Sequence, residues 1–413
     1  MSYSAPNTRS ARQSPAAQNY SVITNYIIPG DIEEAKPMLL LTGATGLVGG
    51  ELLPHLLEAR PERQIVALTR QQSNVSSLNL SQGIKILQGD VTQPQLGLDD
   101  EDYASLQNDL TEIIHCAADT RFGLPLEEAR ATNTEGTRNL LKLARLCKKI
   151  EKFAHVSTVF VVGRTTGRLA ELPLRHHNGF SNTYQQSKYE AEDLAFEAMQ
   201  DLPVAIFRFS SIIGDSATGQ VRQFNYVHRL LRAFPRNVLP MMPGEPAAPI
   251  DLIPTNWAAS ALAYLFDRSF TPGRIYHICA GPDASLTVQE MFDLTLDTFE
   301  AHPRARRWLP IHAPRLVSLA QYEEYAERSR GGGDVLLDEL LRVLGYFIPH
   351  LGMFQAFDNR HIQEALAGSG LRLPPIRDYY SKVIDYCLET NWGFKLHRDR
   401  PAPQSRGYAE ATL

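Results

Sequence analysis

The chain has 413 residues, 43% of them apolar and 21% charged, with a net charge of −5. This is ordinary globular composition, and the length suits roughly two to four domains or one large α/β unit with an added lobe. The slight acidity argues against a dedicated nucleic-acid binder, and no run of about 18 apolar residues predicts a membrane span.

In chain order, the polar stretch "MSYSAPNTRSARQSPAAQ" carries Arg9 and Arg12 and no acid. A transit peptide has that composition, but a disordered tail over 1–35 is the expectation, because so little apolar surface cannot offset chain entropy. From Met38 the pattern changes. "MLLLTGATGLVGGELLPHLLEAR" reads as a strand, a glycine-rich turn and an amphipathic helix, with Pro54 expected to kink that helix. Further strands are predicted in "RQIVALTR", "GIKILQGDV", "EIIHCAA", "KFAHVSTVFVVG" and "PVAIFRFSSIIG", with a helix through "TNTEGTRNLLKLARLCKK". Alternating strands and helices predict a doubly wound parallel sheet, an α/β Rossmann-type fold. After Gly214 the alternation breaks down. The expected organisation is a dinucleotide-binding domain over 36–214, completed by about 245–285. A smaller, mostly helical substrate lobe follows over 215–244 and 286–395, then a tail over 396–413. "NWAASALAYLF" reads as a buried helix, and Gly331–Gly333 as a flexible loop. Cys116, Cys147, Cys279 and Cys387 have no paired metal or redox spacing. They read as free thiols of a reducing compartment, with the cytoplasm as the expected location.

Gly43, Gly46 and Gly49 lie between the first strand and its helix. In that context Gly43 permits a tight turn, Gly46 lets amides approach a pyrophosphate, and Gly49 lets the helix pack on the sheet. The helix N-terminus adds N–H groups and a positive dipole end. An acid closing the second strand would select NAD. Arg70 stands there instead, suited to the 2′-phosphate of NADP. Asp90, ending the third strand, either reaches the adenine or caps its own loop.

Tyr184 and Lys188 are four residues apart, on one face of a helix. A phenol with a pKa near 10 holds its proton tightly, and a nearby ammonium is expected to lower that barrier. The same lysine suits the nicotinamide ribose. The adjacent His176 and His177 lack partners at metal-ligand spacing, so no metal is expected. Arg304, Arg306 and Arg307 either meet phosphates of a substrate or form a solvated face. Phe354, Phe357, Tyr379, Tyr380 and Tyr386 either line an acyl tunnel or pack a core; core packing is the expectation.

The glycine turn, "HVSTVFVVG" and "TYQQSKYE" together resemble the extended short-chain dehydrogenase/reductase superfamily. "LQGDVTQPQLGL", "IIHCAADTRFGLPLEEARATNTEGTRNLLKLA" and the serine/threonine strand resemble its acyl-thioester reductase branch, which includes fatty acyl-CoA reductases of the male-sterility type. The resemblance covers roughly 38–290 well and the late segment 353–387 more loosely. It implies a catalytic Thr158 with Tyr184 and Lys188, and Ser157 as neighbour. It places Asn133 as the helix asparagine. Around the cofactor it implies Thr45, Leu47 and Val48 in the glycine turn, Val91 beside Asp90, and Ala117 and Ala118 after the fourth strand. Phe209, Ser210 and Ile213 follow the sixth strand. Val162 stands where many members have tyrosine, and Ser210 replaces a usual proline. Val159 and Phe160 after Thr158 depart from the Asp-Glu pattern of nucleotide-sugar dehydratases.

The implied activity is NADPH-dependent reduction of an acyl thioester to an aldehyde, and in a second round to alcohol. Other extended reductases or epimerases, and a non-catalytic dinucleotide-binding protein, are the alternatives. No adenylation domain fits this length, and "GPDASL" is not a carrier attachment motif. The expected thioester therefore arrives on coenzyme A or a separate carrier protein. Apolar segments 215–250 and 286–395 predict a preference for medium or long acyl groups.

Overall fold

The computed structural model describes residues 36–70, 83–237, 239–305, 310–330, 337–338, 341–342, 345–346 and 348–393. The expectations for 1–35, Gly331–Gly333, Arg306, Arg307 and 396–413 lie outside the described residues.

Seven parallel strands form the central sheet: β1 (Met38–Thr42), β2 (Gln64–Thr69), β3 (Ile84–Gln88), β4 (Leu110–His115), β5 (Lys152–Thr158), β6 (Val204–Phe209) and β7 (Ile275–Ile278). Their spatial order is β7-β6-β5-β4-β1-β2-β3. The order reverses beside β1, whose Thr42 pairs with Leu68 on one side and His115 on the other. At such a switch point the crevice beyond the strands' carboxyl ends receives a ligand.

Helices α1 (Leu47–Ala59), α2 (Asp100–Asp109), α3 (Leu126–Arg130), α4 (Gly136–Leu146), α5 (Thr183–Ala198), α6 (Tyr226–Ala233) and α7 (Thr255–Arg268) follow in chain order. β1 is apolar on both faces because both are covered. Leu39 and Leu41 join Leu52, Leu56, Leu262 and Phe266 of α1 and α7. Leu40 joins Leu106, Leu140 and Leu143 of α2 and α4 on the opposite face. This is the two-residue period of a strand. Helix α1 runs through Pro54 as one element, with the proline exposed. A ring that only faces water there need not end the helix.

A further core lies beyond β6, built by Val227, Leu230, Phe234, Phe292, Phe299, Tyr380 and Ile384, among others. It holds Tyr379 and Tyr380, which therefore pack a core. The seventh strand, Ile275–Ile278, was not anticipated: four residues carry too short a pattern to stand out. The helix through Asn133 is interrupted by a π-helical turn over Ala131–Glu135. All four cysteines are free thiols.

Candidate active site

The glycine turn is built as its sequence predicts. Gly43 has φ 71°, and a Cβ there would stand 2.7 Å from the Ala117 amide nitrogen. A Cβ on Gly49 would stand 2.3 Å from the Gly43 oxygen, so α1 packs against the turn only through glycine. Gly46 is the N-cap of α1. No side chain caps that end, and no acid stands in the first turn. An uncapped helix N-terminus in a glycine cradle fits a pyrophosphate. Thr45 is exposed, with Leu47 and Val48 half-buried behind it.

Arg70 follows β2 and is exposed. Asp90 accepts from the Thr92 amide at 2.9 Å, so its carboxylate caps the loop. Val91 is buried against Gly136. Ala117 donates its amide to the Thr42 hydroxyl at 3.2 Å, and Ala118 follows it half-buried. Asn133 grips the Asp119 backbone at both its amide (2.7 Å) and carbonyl (2.9 Å), and donates to the Ser187 hydroxyl at 2.9 Å. Its amide thus ties the loop after β4 to α5. Ser210 is buried, and Ile213 lies in the core beyond β6.

Strand β5 and helix α5 bring the catalytic candidates together. The Thr158 hydroxyl lies near enough to the Tyr184 phenol to favour its ionised form. Thr158 also donates to the Phe209 carbonyl at 3.1 Å and accepts from the Phe160 amide at 3.3 Å. Lys188, one turn on and 2% exposed, donates to the Val156 carbonyl at 2.8 Å. Burial pushes the Tyr184 phenol up to about 12, against a smaller downward pull from Thr158. The phenol is raised, not lowered as expected, because desolvation is the largest effect on it. Burial also lowers Lys188 to about 8, opposed by the nearby Glu192 and Cys116. His115 is pushed down to about 3 by burial and then by the Lys188 charge, so it is neutral.

One aromatic ring packs on the phenol, and a chain of rings continues from it. Phe122 stacks on Tyr184 with centroids 5.6 Å apart and meets Tyr226 at 5.5 Å. Phe160 meets Tyr226 at 6.2 Å, His350 at 5.6 Å and Phe357 at 6.3 Å. Phe357 arrives because Gln355–Phe357 pairs with Gly167–Leu169. Phe122 and Tyr226 lie 62 and 42 residues from Tyr184; Phe122 falls in the quoted stretch 113–144, but no pattern there singled it out, and Tyr226 lies in no motif at all.

Other candidates have structural work. His176 bonds the Val161 carbonyl at 3.0 Å and packs on Phe180 and Tyr189. Among the described residues there is no group of three metal-ligating side chains. Arg304 donates to the Leu388 (3.4 Å) and Glu389 (3.1 Å) carbonyls at the end of helix Tyr380–Glu389. Tyr386 packs against the core beyond β6, and Phe354 is exposed.

A seven-stranded doubly wound sheet, a glycine cradle and a Tyr-Lys helix beside Thr158 define an extended NAD(P)-binding reductase. The chain belongs to the family described as male sterility protein, which matches residues 41–262. It is 31% identical over 398 residues to an isonitrile lipopeptide synthase of Streptomyces coeruleorubidus, covering 85% of this chain and 24% of that protein. It is 25% identical over 333 residues to a putative fatty acyl-CoA reductase of Drosophila melanogaster, covering 67% of this chain and 61% of that protein. The chain thus spans about a quarter of the synthase and less than two thirds of the reductase. Among solved structures it resembles the terminal R domain from the myxalamid PKS-NRPS pathway, with TM-score 0.72 and 27% identity over 87% of this chain and 92% of that one. A UDP-glucuronic acid 4-epimerase of Bacillus cereus, 17% identical with TM-score 0.58, shares the fold.

Proposed function

We propose that this protein reduces acyl thioesters, carried on coenzyme A or a carrier protein, to aldehydes with NADPH, and aldehydes onward to alcohols. The observation that carries the reading is Tyr184 with Lys188 one helical turn on, facing the strand that ends at Thr158, in a chain whose α1 begins at an uncapped glycine cradle. Bound NADPH supplies the hydride. Gly43, Gly46 and Gly49 admit its pyrophosphate to the N-terminus of α1, and Arg70 pairs with its 2′-phosphate. Lys188 holds the nicotinamide ribose.

Tyr184 points its hydroxyl at the carbonyl oxygen, and Thr158 joins it by turning its proton from the Phe209 carbonyl to the substrate. Donors preorganised towards developing charge are commonly the largest catalytic contribution. Tyr184 gives that oxygen its proton. A phenol raised to about 12 keeps its proton at neutral pH and is loaded as a donor before substrate arrives. The half-buried Phe122 and Phe160 rings exclude water and suit an apolar acyl chain, whereas Phe357 packs in a core with Val159, Val162 and Leu169.

The test is NADPH oxidation over an acyl-CoA ladder, with products identified by mass spectrometry. Aldehyde and free coenzyme A support the reading. Turnover of a UDP-sugar, with none of any thioester, overturns it.

A further inference from the structure

Thr158, Tyr184 and Lys188 all serve the oxygen side of a reacting carbonyl. Thioester reduction makes a second demand, because a C–S bond must break and its electron pair must leave on sulfur. A second phenol meets the same Phe122 ring as the first. The Phe122 ring is 5.6 Å from the Tyr184 ring and 5.5 Å from the Tyr226 ring, and Phe160, two residues after Thr158, meets Tyr226 edge-on. Both tyrosine residues are half-buried.

Tyr226 is also firmly placed. It opens α6, where Asn225 accepts from the Val227 amide at 3.0 Å and donates to the Ile212 carbonyl at 2.7 Å. His228 bonds the Ile213 carbonyl at 2.9 Å. The first turn of α6 is thereby tied to the segment leaving β6, at the crevice. From that segment the buried Ser211 hydroxyl is hydrogen-bonded to the Tyr226 phenol.

The geometry points to Tyr226, supported by Ser211, as a catalytic residue on the sulfur side, donating a hydrogen bond to the thioester sulfur as it departs. This rests on the thioester reading above. In the first step the carbonyl carbon gains the hydride and the oxygen gains the Tyr184 proton, giving a hemithioacetal. In the second, the O–H proton returns to the Tyr184 oxygen, C=O re-forms, and the C–S bond breaks with its electron pair on sulfur. Tyr226 stabilises that charge through its hydrogen bond, with Ser211 orienting the phenol. The thiolate takes a proton from water on release. Burial raises the Tyr226 pKa, which suits a group that lends a hydrogen bond and keeps its proton.

The experiment is single-turnover stopped flow with the full chain, NADPH and a decanoyl-CoA probe, following NADPH absorbance and free thiol together. In Tyr226→Phe, thiol release should fall about 10²-fold, the usual scale for one such donor, and should lag behind NADPH oxidation. Ser211→Ala should show a smaller lag. Tyr184→Phe should slow both signals in step. Cofactor titration and circular dichroism check that each variant folds, and Ser211→Ala carries the test if Tyr226→Phe does not. Thiol and NADPH signals that stay in step in both folded variants overturn the assignment alone. A wild-type chain that oxidises no NADPH with any acyl thioester overturns the thioester reading first, and this assignment with it.

Discussion

Ser157 donates a 2.7 Å hydrogen bond to Glu192, joining the strand that carries Thr158 to the helix that carries Tyr184 and Lys188. Glu192 also holds the guanidinium of Arg208, which is fully buried on β6. Arg208 in turn reaches His277 on β7 and the Leu172 carbonyl, each at 3.0 Å. One polar chain thus locks α5 across three strands.

Removing one partner of such a pair strands a charge in the interior. Glu192→Ala should therefore cost about 3–5 kcal/mol of unfolding free energy. Urea unfolding of the variant measures it, and a loss under about 1 kcal/mol would show that Arg208 finds other compensation.

Tyr184→Phe should keep cofactor affinity and lose about 10²–10⁴-fold in turnover, the usual range for an acid–base group. Cofactor titration beside steady-state kinetics checks both halves. Turnover near wild type removes the phenol from the mechanism.

Lys188 gives a pH signature. Its folded pKa is lowered from 10.5 to about 8 by burial. Between these values the unfolded chain binds the proton that the folded chain has released. Stability from this group therefore rises with pH across that window, by about 3 kcal/mol in all. Tyr184, raised from 10.0 to about 12, acts oppositely from pH 10 upward. Unfolding of wild type and Lys188→Met at pH 7, 8, 9 and 10 isolates the lysine. Parallel curves would refute its shift. In the same variant NADPH affinity should drop, because the ammonium proposed to hold the nicotinamide ribose is gone.

Arg70→Ala should weaken NADPH binding and leave NADH binding nearly unchanged, since a guanidinium–phosphate contact is charge-assisted and specific to the 2′-phosphate. Fluorescence titration with both cofactors decides. Equal losses would assign Arg70 to the fold.

Catalytic efficiency should rise from acetyl to longer acyl thioesters, with binding gaining up to about 0.8 kcal/mol per buried CH₂. A flat profile would mean that the Phe122 and Phe160 rings do not line the acyl site.

The sequence by itself determined the parts of this protein that depend on local pattern. Strand–helix alternation set the doubly wound sheet, since continuous apolar strands must be covered on both faces. Gly43 and Gly49 marked the cradle, because only glycine fits the left-handed turn and the 2.3 Å approach of α1. Tyr184 and Lys188 were legible because four residues make one helical turn. Tertiary structure alone decided the environment of those groups. Burial raises the Tyr184 phenol, and desolvation depends on what the rest of the chain places overhead. Asn133 is committed to the Asp119 loop, and Arg304 to a helix end, by partners 14 and more than 80 residues away. The meeting of Phe122, Tyr184 and Tyr226 joins three elements with no periodicity between them, so only packing could bring a second phenol to the site.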